Sequence, residues 1–282
     1  MQCAGDVTPV TAAPAVGVGY RREIAAQLDE YAGSIDCLEI IAESYLQPTP
    51  ARLHELDRLR AGFPLITHGL RLSIGSVDRP PASYLRDVAR LLDYIDAPYH
   101  SDHFAVTSAA GLEFGHLSPL WYTADGLATV IANVSQVQDQ LGRQLVLETI
   151  TETFAIPGAT MEMPDFVTEV CATTGCGVLL DVTNVYINAH RAGVDPKTIV
   201  DRLPLHAVRQ LHLVGYGVDG SGRLVDSHAD PVQPELWQLY DYVRSVCNPQ
   251  VVILERDDDI PALGDLVAEL DRARLTPVSV PR

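Results

Sequence analysis

The sequence predicts a closed (β/α)8 TIM barrel, and three observations carry the prediction. Eight short β-rich runs alternate with amphipathic helical stretches. The composition does not change along the chain, so nothing marks a second domain. The 282 residues match the roughly 250 that one such barrel needs. An open, doubly wound sheet would be expected to start on a glycine-rich dinucleotide turn. The first turn here, Gly17-Val18-Gly19-Tyr20-Arg21-Arg22, lacks the third glycine.

The strand runs are Ala15–Tyr20, Cys37–Glu43, Pro64–His68, Pro98–Phe104, Gln144–Thr149, Gly177–Val182, Val208–Val214 and Gln250–Glu255. Helices are expected over Arg22–Tyr31, Ala51–Ala61, Ser83–Ile95, Ala124–Leu141, Pro164–Thr174, Pro196–Leu203, Pro234–Cys247 and Ile260–Arg274. Thr49-Pro50, Pro164-Asp165 and Asp195-Pro196 are helix-start signals, because proline's fixed φ suits the first helical position. Two connections are long, Ala105–Thr123 and Gly215–Val232; in a barrel such segments build the mouth. Residues 1–282 read as one domain, with 1–14 a loose lead-in.

Composition narrows the function. With 47% hydrophobic residues the chain can fill a large core. Its net charge is −17 and Lys197 is its single lysine, so it offers no basic patch for phosphates, and nucleic acid is not an expected partner. The five cysteines form no CxxC pair and are odd in number, the pattern of a reduced, cytoplasmic protein. No signal peptide and no bilayer-length apolar stretch is legible, so no membrane partner is expected. Neither a GxSxG elbow nor a P-loop is present.

The chemistry lies at the carboxyl ends of the strand runs. His68 ends the third, His103 the fourth, Glu148 the fifth and Asp181 the sixth, with Asn184 just after it. His212 lies in the seventh, Asp226 and His228 in the segment after it, and Glu255 ends the eighth, followed by Asp257. Any one of these is more often a satisfied structural residue than a ligand. A barrel opens all its strand ends on one face, so jointly they converge. Period-two alternation puts His103 on one face with Ser101 and Tyr99, and Asp102 on the other. Four buried carboxylates would repel unless protonated or balanced by cations. Imidazole with carboxylate and no cysteine suits iron, zinc or manganese and argues against copper(I) or iron–sulfur clusters. The donor count exceeds one ion's needs, so two or three ions are expected. Of the other histidines, His54, His190 and His206 read as solvated, His100 faces the wrong way, and His116 lies in a long loop. Cys171 and Cys176 read as buried beside the sixth strand.

These residues stand in Thr67-His68-Gly69, Ser101-Asp102-His103, Leu147-Glu148-Thr149, Leu180-Asp181-Val182-Thr183-Asn184, Leu211-His212-Leu213-Val214-Gly215-Tyr216-Gly217, Asp226-Ser227-His228 and Glu255-Arg256-Asp257. In this order and spacing the chain resembles the multinuclear non-haem iron-dependent oxidative enzymes, the methanobactin-biosynthesis oxidase group. The resemblance covers nearly the whole chain and implies a xylose-isomerase-like barrel. It implies two or three irons held by His68, His103, Glu148, Asp181, Asn184, His212, Asp226, His228 and Glu255, with O2 as co-substrate and Asp257 as an acid/base. It implies oxidation of a side chain, often cysteine, in a ribosomally made precursor peptide, alongside a leader-binding partner protein. Glu43 matches an acidic motif of relatives and ranks below the ligands. Thr149, Tyr216 and Asp102 depart from commoner family residues without removing a donor. Two other classes compete: a hydrolytic or isomerising zinc or manganese enzyme on the same barrel, endonuclease IV-like or sugar isomerase-like, and a non-catalytic metal-binding scaffold.

Overall fold

The computed structural model describes residues 13–275, so the expected lead-in lies outside the described residues except for Ala13 and Pro14. Along the chain run β1 (Ala15–Gly19), β2 (Leu38–Ile41), α1 (Pro50–Gly62), β3 (Leu65–His68), α2 (Ala82–Ile95), β4 (Tyr99–His103), β5 (Val106–Ala109) and β6 (Leu112–Ser118). Then follow α3 (Ala124–Leu141), β7 (Gln144–Glu148), α4 (Met163–Thr174), β8 (Gly177–Asp181), α5 (Val182–Ala192), α6 (Pro196–Arg202) and β9 (Val208–Leu213). The chain continues through β10 (Gly215–Val218), β11 (Leu224–Asp230), α7 (Pro234–Val246), β12 (Val251–Leu254) and α8 (Leu263–Arg274). Eight strands close into a barrel in the order β1-β12-β9-β8-β7-β4-β3-β2, every pair parallel. This is the TIM barrel that the sequence predicts.

Alternation along each strand separates two cores. Outward residues such as Val18, Leu38, Leu147, Leu180, Leu211 and Leu254 pack under the helices. Inward residues Cys37, Ile66, Tyr99, Val146, Leu179, Val251 and Ile253, with Ala15 against them, form a second apolar cluster inside the barrel. Two residues further along the same inward columns the chemistry changes: Cys37 gives way to Glu39, Ile66 to His68, Val146 to Glu148, Leu179 to Asp181 and Ile253 to Glu255. The barrel therefore has an apolar floor and a polar mouth. Strand β1 approaches β2 so closely that a Cβ on Gly17 would lie 2.1 Å from the Cys37 carbonyl oxygen.

Three expectations are corrected. Arg22–Tyr31 is not an α-helix; only Arg22–Ile24 makes a 3-10 turn, with no side-chain cap at Arg21. Ile24 and Leu28 are its only buried residues, too few anchors to hold several turns. Helix α5 occupies a stretch read as a connection; Asp181 caps it by accepting the Asn184 N–H at 2.6 Å. The two long connections contain antiparallel hairpins, β5–β6 and β10–β11. Ala110 and Gly111 link the first hairpin at φ 52° and 76°, the two positive values that a tight two-residue hairpin turn of type I′ requires.

Candidate metal centre

The barrel register brings the expected donors together. His68 Nε2, His103 Nε2 and Glu148 Oε2 form a triangle with edges of 3.2, 3.3 and 3.3 Å. Glu148 Oε1 is 3.4 Å from His212 Nδ1, which lies 2.9 Å from Glu255 Oε2. Asp181 joins Glu148, His212 and Glu255 in one buried group of four whose donor atoms all lie within 4.8 Å of one another. At the outer edge His228 Nε2 is 2.9 Å from Asp226 Oδ1, and His228 Nδ1 is 3.0 Å from Asp257 Oδ2 and 3.6 Å from Glu255 Oε2. Nine of the ten residues singled out thus form one connected cluster running from β3 to the β10–β11 hairpin. The tenth, Asn184, lines the same cavity, but its Oδ1 accepts from the Thr151 hydroxyl and its Nδ2 donates to the Thr149 carbonyl at 3.2 Å.

Local hydrogen bonds aim the donors. The Ser101 hydroxyl donates to the Thr67 carbonyl at 3.0 Å, so its oxygen accepts from His68 Nδ1–H at 2.9 Å and leaves His68 Nε2 bare. Glu39, in the middle of β2, lies beneath His212 with Oε1 2.9 Å from Nε2. Tyr99 donates to Gln210 Oε1 at 2.7 Å and Gln210 Nε2 donates to Glu39 Oε2 at 2.5 Å, which fixes that carboxylate. His212 Nε2 also lies 2.9 Å from Gln210 Nε2, and its Nδ1 faces Glu148 and Glu255; once neutral, with the proton kept on Nε2 by Glu39, the ring offers its Nδ1 lone pair to them. His228 has φ 51°, unusual for a residue other than glycine, and its carbonyl accepts from Asp257 N at 2.9 Å. That backbone turn points the ring back into the mouth.

Charges around the cluster are unbalanced without a cation. Burial, then Glu148 and Asp226, pushes the Asp181 carboxyl well above its ordinary range. Burial opposes the His212 imidazolium, yet Glu39, Glu255 and Glu148 raise it well above 6.5. His228 is likewise disfavoured by burial and then pushed up to about 12 by Glu255, Asp226 and Asp257. Burial and the neighbouring His103 and His212 keep His68 neutral. Burial works against the Glu255 carboxylate, but His212 and His228 hold it well below its ordinary value.

The geometry fits metal ions. Glu148 Oε2 and Asp181 Oδ2 are buried with no hydrogen-bond partner among the described residues, and His212 Nδ1 is turned to the carboxylates of Glu148 and Glu255. Orphaned buried polar atoms are costly, and an ion relieves that cost. Donors about 2.0–2.2 Å from a first-row divalent ion lie about 2.8–3.6 Å apart at angles between 90° and 109°, which brackets the edges of the histidine–glutamate triangle. Glu148 offers one oxygen to that triangle and the other to the group of four, so it is placed to bridge two ions.

Above the cluster is a cavity of about 420 Å3, walled on its outer side by Leu70 and Arg71 and by Glu113, His116 and Leu117 of β6. The β5–β6 hairpin is pinned there: Ser73 Oγ accepts from Thr107 N and Ser108 N at 2.9 and 3.0 Å, and Arg71 pairs with Glu113 at 2.8 Å. His116 is exposed and lines this cavity.

The remaining residues sort as follows. His54, His190 and His206 are exposed. His100 faces outward but is fully buried against Thr67 Oγ1 at 2.9 Å. Glu43 stands apart from the cluster, with Oε1 accepting from Leu70 N and the Tyr84 hydroxyl at 2.9 and 2.7 Å. Cys171 and Cys176 are buried with their sulfurs 3.7 Å apart. Sequence reasoning missed Glu39 and Arg21. A carboxylate inside the otherwise apolar Leu38-Glu39-Ile40-Ile41 was the available signal for the first. Arg21, whose guanidinium holds Asp257 and lies 3.6 Å from Glu255 Oε1, gave none.

Residues 15–276 match the family model described as RiPP precursor modification enzyme MbnB/TglH/ChrH, RiPP denoting a ribosomally synthesised and post-translationally modified peptide. The chain belongs to this family. Among its relatives, a UPF0276 protein of Caulobacter vibrioides is 37% identical over 259 residues, 92% of each chain. A UPF0276 protein of Rhizorhabdus wittichii is 36% identical over 241 residues, 86% of each. Similar solved structures include D-psicose 3-epimerase from Clostridium cellulolyticum, with TM-score 0.57, 14% identity and coverage of 92% of this chain and 95% of that one. A xylose isomerase domain protein from Planctomyces limnophilus has TM-score 0.58 and 13% identity, covering 92% and 96%. At these identities the structures establish the xylose-isomerase-like fold, while the family match establishes an enzyme family. Among the described residues no helix is long and apolar enough to cross a membrane.

Proposed function

We propose that this protein is an O2-dependent oxidase with a multinuclear iron centre, acting on a side chain, most simply cysteine, of a ribosomally made precursor peptide. The carrying observation is the His68–His103–Glu148 triangle joined through Glu148 to the Asp181–His212–Glu255 group. His68, His103, Glu148, Asp181, His212, Asp226, His228 and Glu255 would hold the ions, with Asn184 joining by exchanging its Thr151 bond. When bound, iron supplies the one-electron redox chemistry and open positions that O2-dependent oxidation needs.

The chain's own residues do the rest. Ser101 and Glu39 fix which nitrogen of His68 and His212 faces the ions. The apolar floor keeps water from below. Burial opposes the Asp257 carboxylate, but His228 and Arg21 hold it below its ordinary value, so it enters as a base that can accept a substrate proton. The cavity between Arg71 and β6 admits an extended peptide side chain. We read the chain as one barrel domain working in the reducing cytoplasm, consistent with the four described cysteines, all buried and free. The family precedent also leads us to expect a leader-binding partner protein.

The test is anaerobic purification, metal quantification and Mössbauer spectroscopy, then incubation with the precursor peptide encoded nearby. We expect at least two irons per chain, O2 consumption and a peptide mass loss localised to cysteine. Full turnover with zinc or manganese and no O2 would replace this reading with the hydrolytic or isomerising one.

A further inference from the structure

Beside the mouth lies a cavity of about 230 Å3 lined by Arg21, Arg22 and Arg52, with Glu23 its one acidic residue. In a chain of net charge −17 this is unusual. The metal cavity and the two other described cavities each carry more carboxylates than guanidinium groups. Behind the arginines one carboxylate, Glu55, takes Arg52 Nη1 at 2.8 Å, the Tyr20 hydroxyl at 2.9 Å and Arg22 Nε at 3.5 Å. Two guanidinium groups therefore share one counter-charge. Each guanidinium has five N–H donors in a planar fork, so most remain for a ligand. Arg21 is the wall between this cavity and the metal cluster: its guanidinium holds Asp257 and comes within 3.6 Å of Glu255.

A guanidinium fork matches a carboxylate. We propose that this cavity is a carboxylate subsite for the substrate, where Arg22 and Arg52 grip an Asp or Glu side chain. An extended chain rises about 3.3 Å per residue, so an acidic residue three positions from the reacting one can reach about 10 Å past the Arg21 wall. The peptide identity of the ligand rests on the function proposed above; the carboxylate preference does not.

Fluorescence anisotropy on the metal-loaded full chain reads the preference. The probes are fluorescein-labelled nine-residue peptides with a central cysteine and Asp, Asn or Lys three positions to either side. We expect the Asp peptide to bind about tenfold more tightly than the Asn peptide. The double variant Arg22→Gln/Arg52→Gln should bring that ratio below two, and Arg52→Lys should keep part of it. A wild-type ratio below two, or an unchanged ratio in the double variant, overturns the proposal. Arg22→Gln alone, at a side chain 62% exposed, serves if the double variant fails to fold, with at least a threefold loss of the ratio expected. Phenylglyoxal labelling read by mass spectrometry tests the cavity without a peptide. Protection of Arg22 and Arg52 by N-acetylaspartate supports the subsite even if no peptide is ever oxidised, and absence of protection overturns it.

Discussion

Glu39→Gln isolates the role of a residue that contributes no proposed ligand atom. In the native protein Glu39 Oε1 lies 2.9 Å from His212 Nε2 while Oε2 accepts from Gln210 at 2.5 Å. Both contacts need an acceptor. A glutamine has one acceptor and one donor end, so either Gln210 or His212 must face a donor. If Gln210 keeps the oxygen, His212 loses the partner that holds its proton on Nε2, and Nδ1 no longer offers a lone pair to Glu148 and Glu255. Losing the carboxylate also eases removal of the His212 proton, which acts the other way. Partners of this kind are worth 10- to 100-fold in metal affinity net, or about 1.4–2.7 kcal/mol. The assay is titration of metal-free protein with a divalent ion against a chromophoric chelator, at fixed pH. We expect a Kd weakened within that range with native circular dichroism. An affinity within twofold of wild type would refute the orienting role of Glu39.

Three further outcomes are expected. Metal affinity should rise with pH, because His212 is raised and His228 is pushed up to about 12 in the metal-free protein, and both must release a proton to ligate; a Kd that is flat between pH 6 and 8 in the same chelator competition contradicts this. Burial holds His100 down to about 4, so below pH 6.5 the unfolded chain binds a proton that the fold refuses, and stability is lost as pH falls towards 4, by on the order of 3 kcal/mol. Urea titrations across that window should show a shallower pH slope in His100→Gln, and an equal slope would count against it. Gly17→Ala drives a Cβ to 2.1 Å from the Cys37 carbonyl oxygen and should cost about 1–3 kcal/mol or more, read as a lowered Tm; an unchanged Tm would mean that β1 and β2 can separate freely.

The barrel was legible because its strands are marked twice, by apolar alternation and by the capped helices between them. Thr49-Pro50 and Asp195-Pro196 do start α1 and α6, with Thr49 and Asp195 as caps. The donor cluster was legible because strand ends must share one face. What escaped depends on tertiary context. Helix α5 begins directly where β8 ends, with no loop between them, and its cap, Asp181, was read only as a strand end. Glu39 lies within a strand, not at its end. Arg21 acts through Asp257, which is 236 residues away in sequence, and no local pattern reveals such a pair. The Arg22–Tyr31 stretch had a helical pattern with too little to bury.

The apolar floor formed by Ile66, Tyr99, Val146, Leu179 and Ile253 closes the barrel beneath the centre, so among the described residues the mouth is the way in. Under the proposed function, ions, oxygen, peptide and product would all share it. A seated peptide would then act as a stopper, slowing the escape of bound ions as well as the entry of solvent. An idle enzyme would lose its metal most readily, and one kept supplied with substrate would retain it.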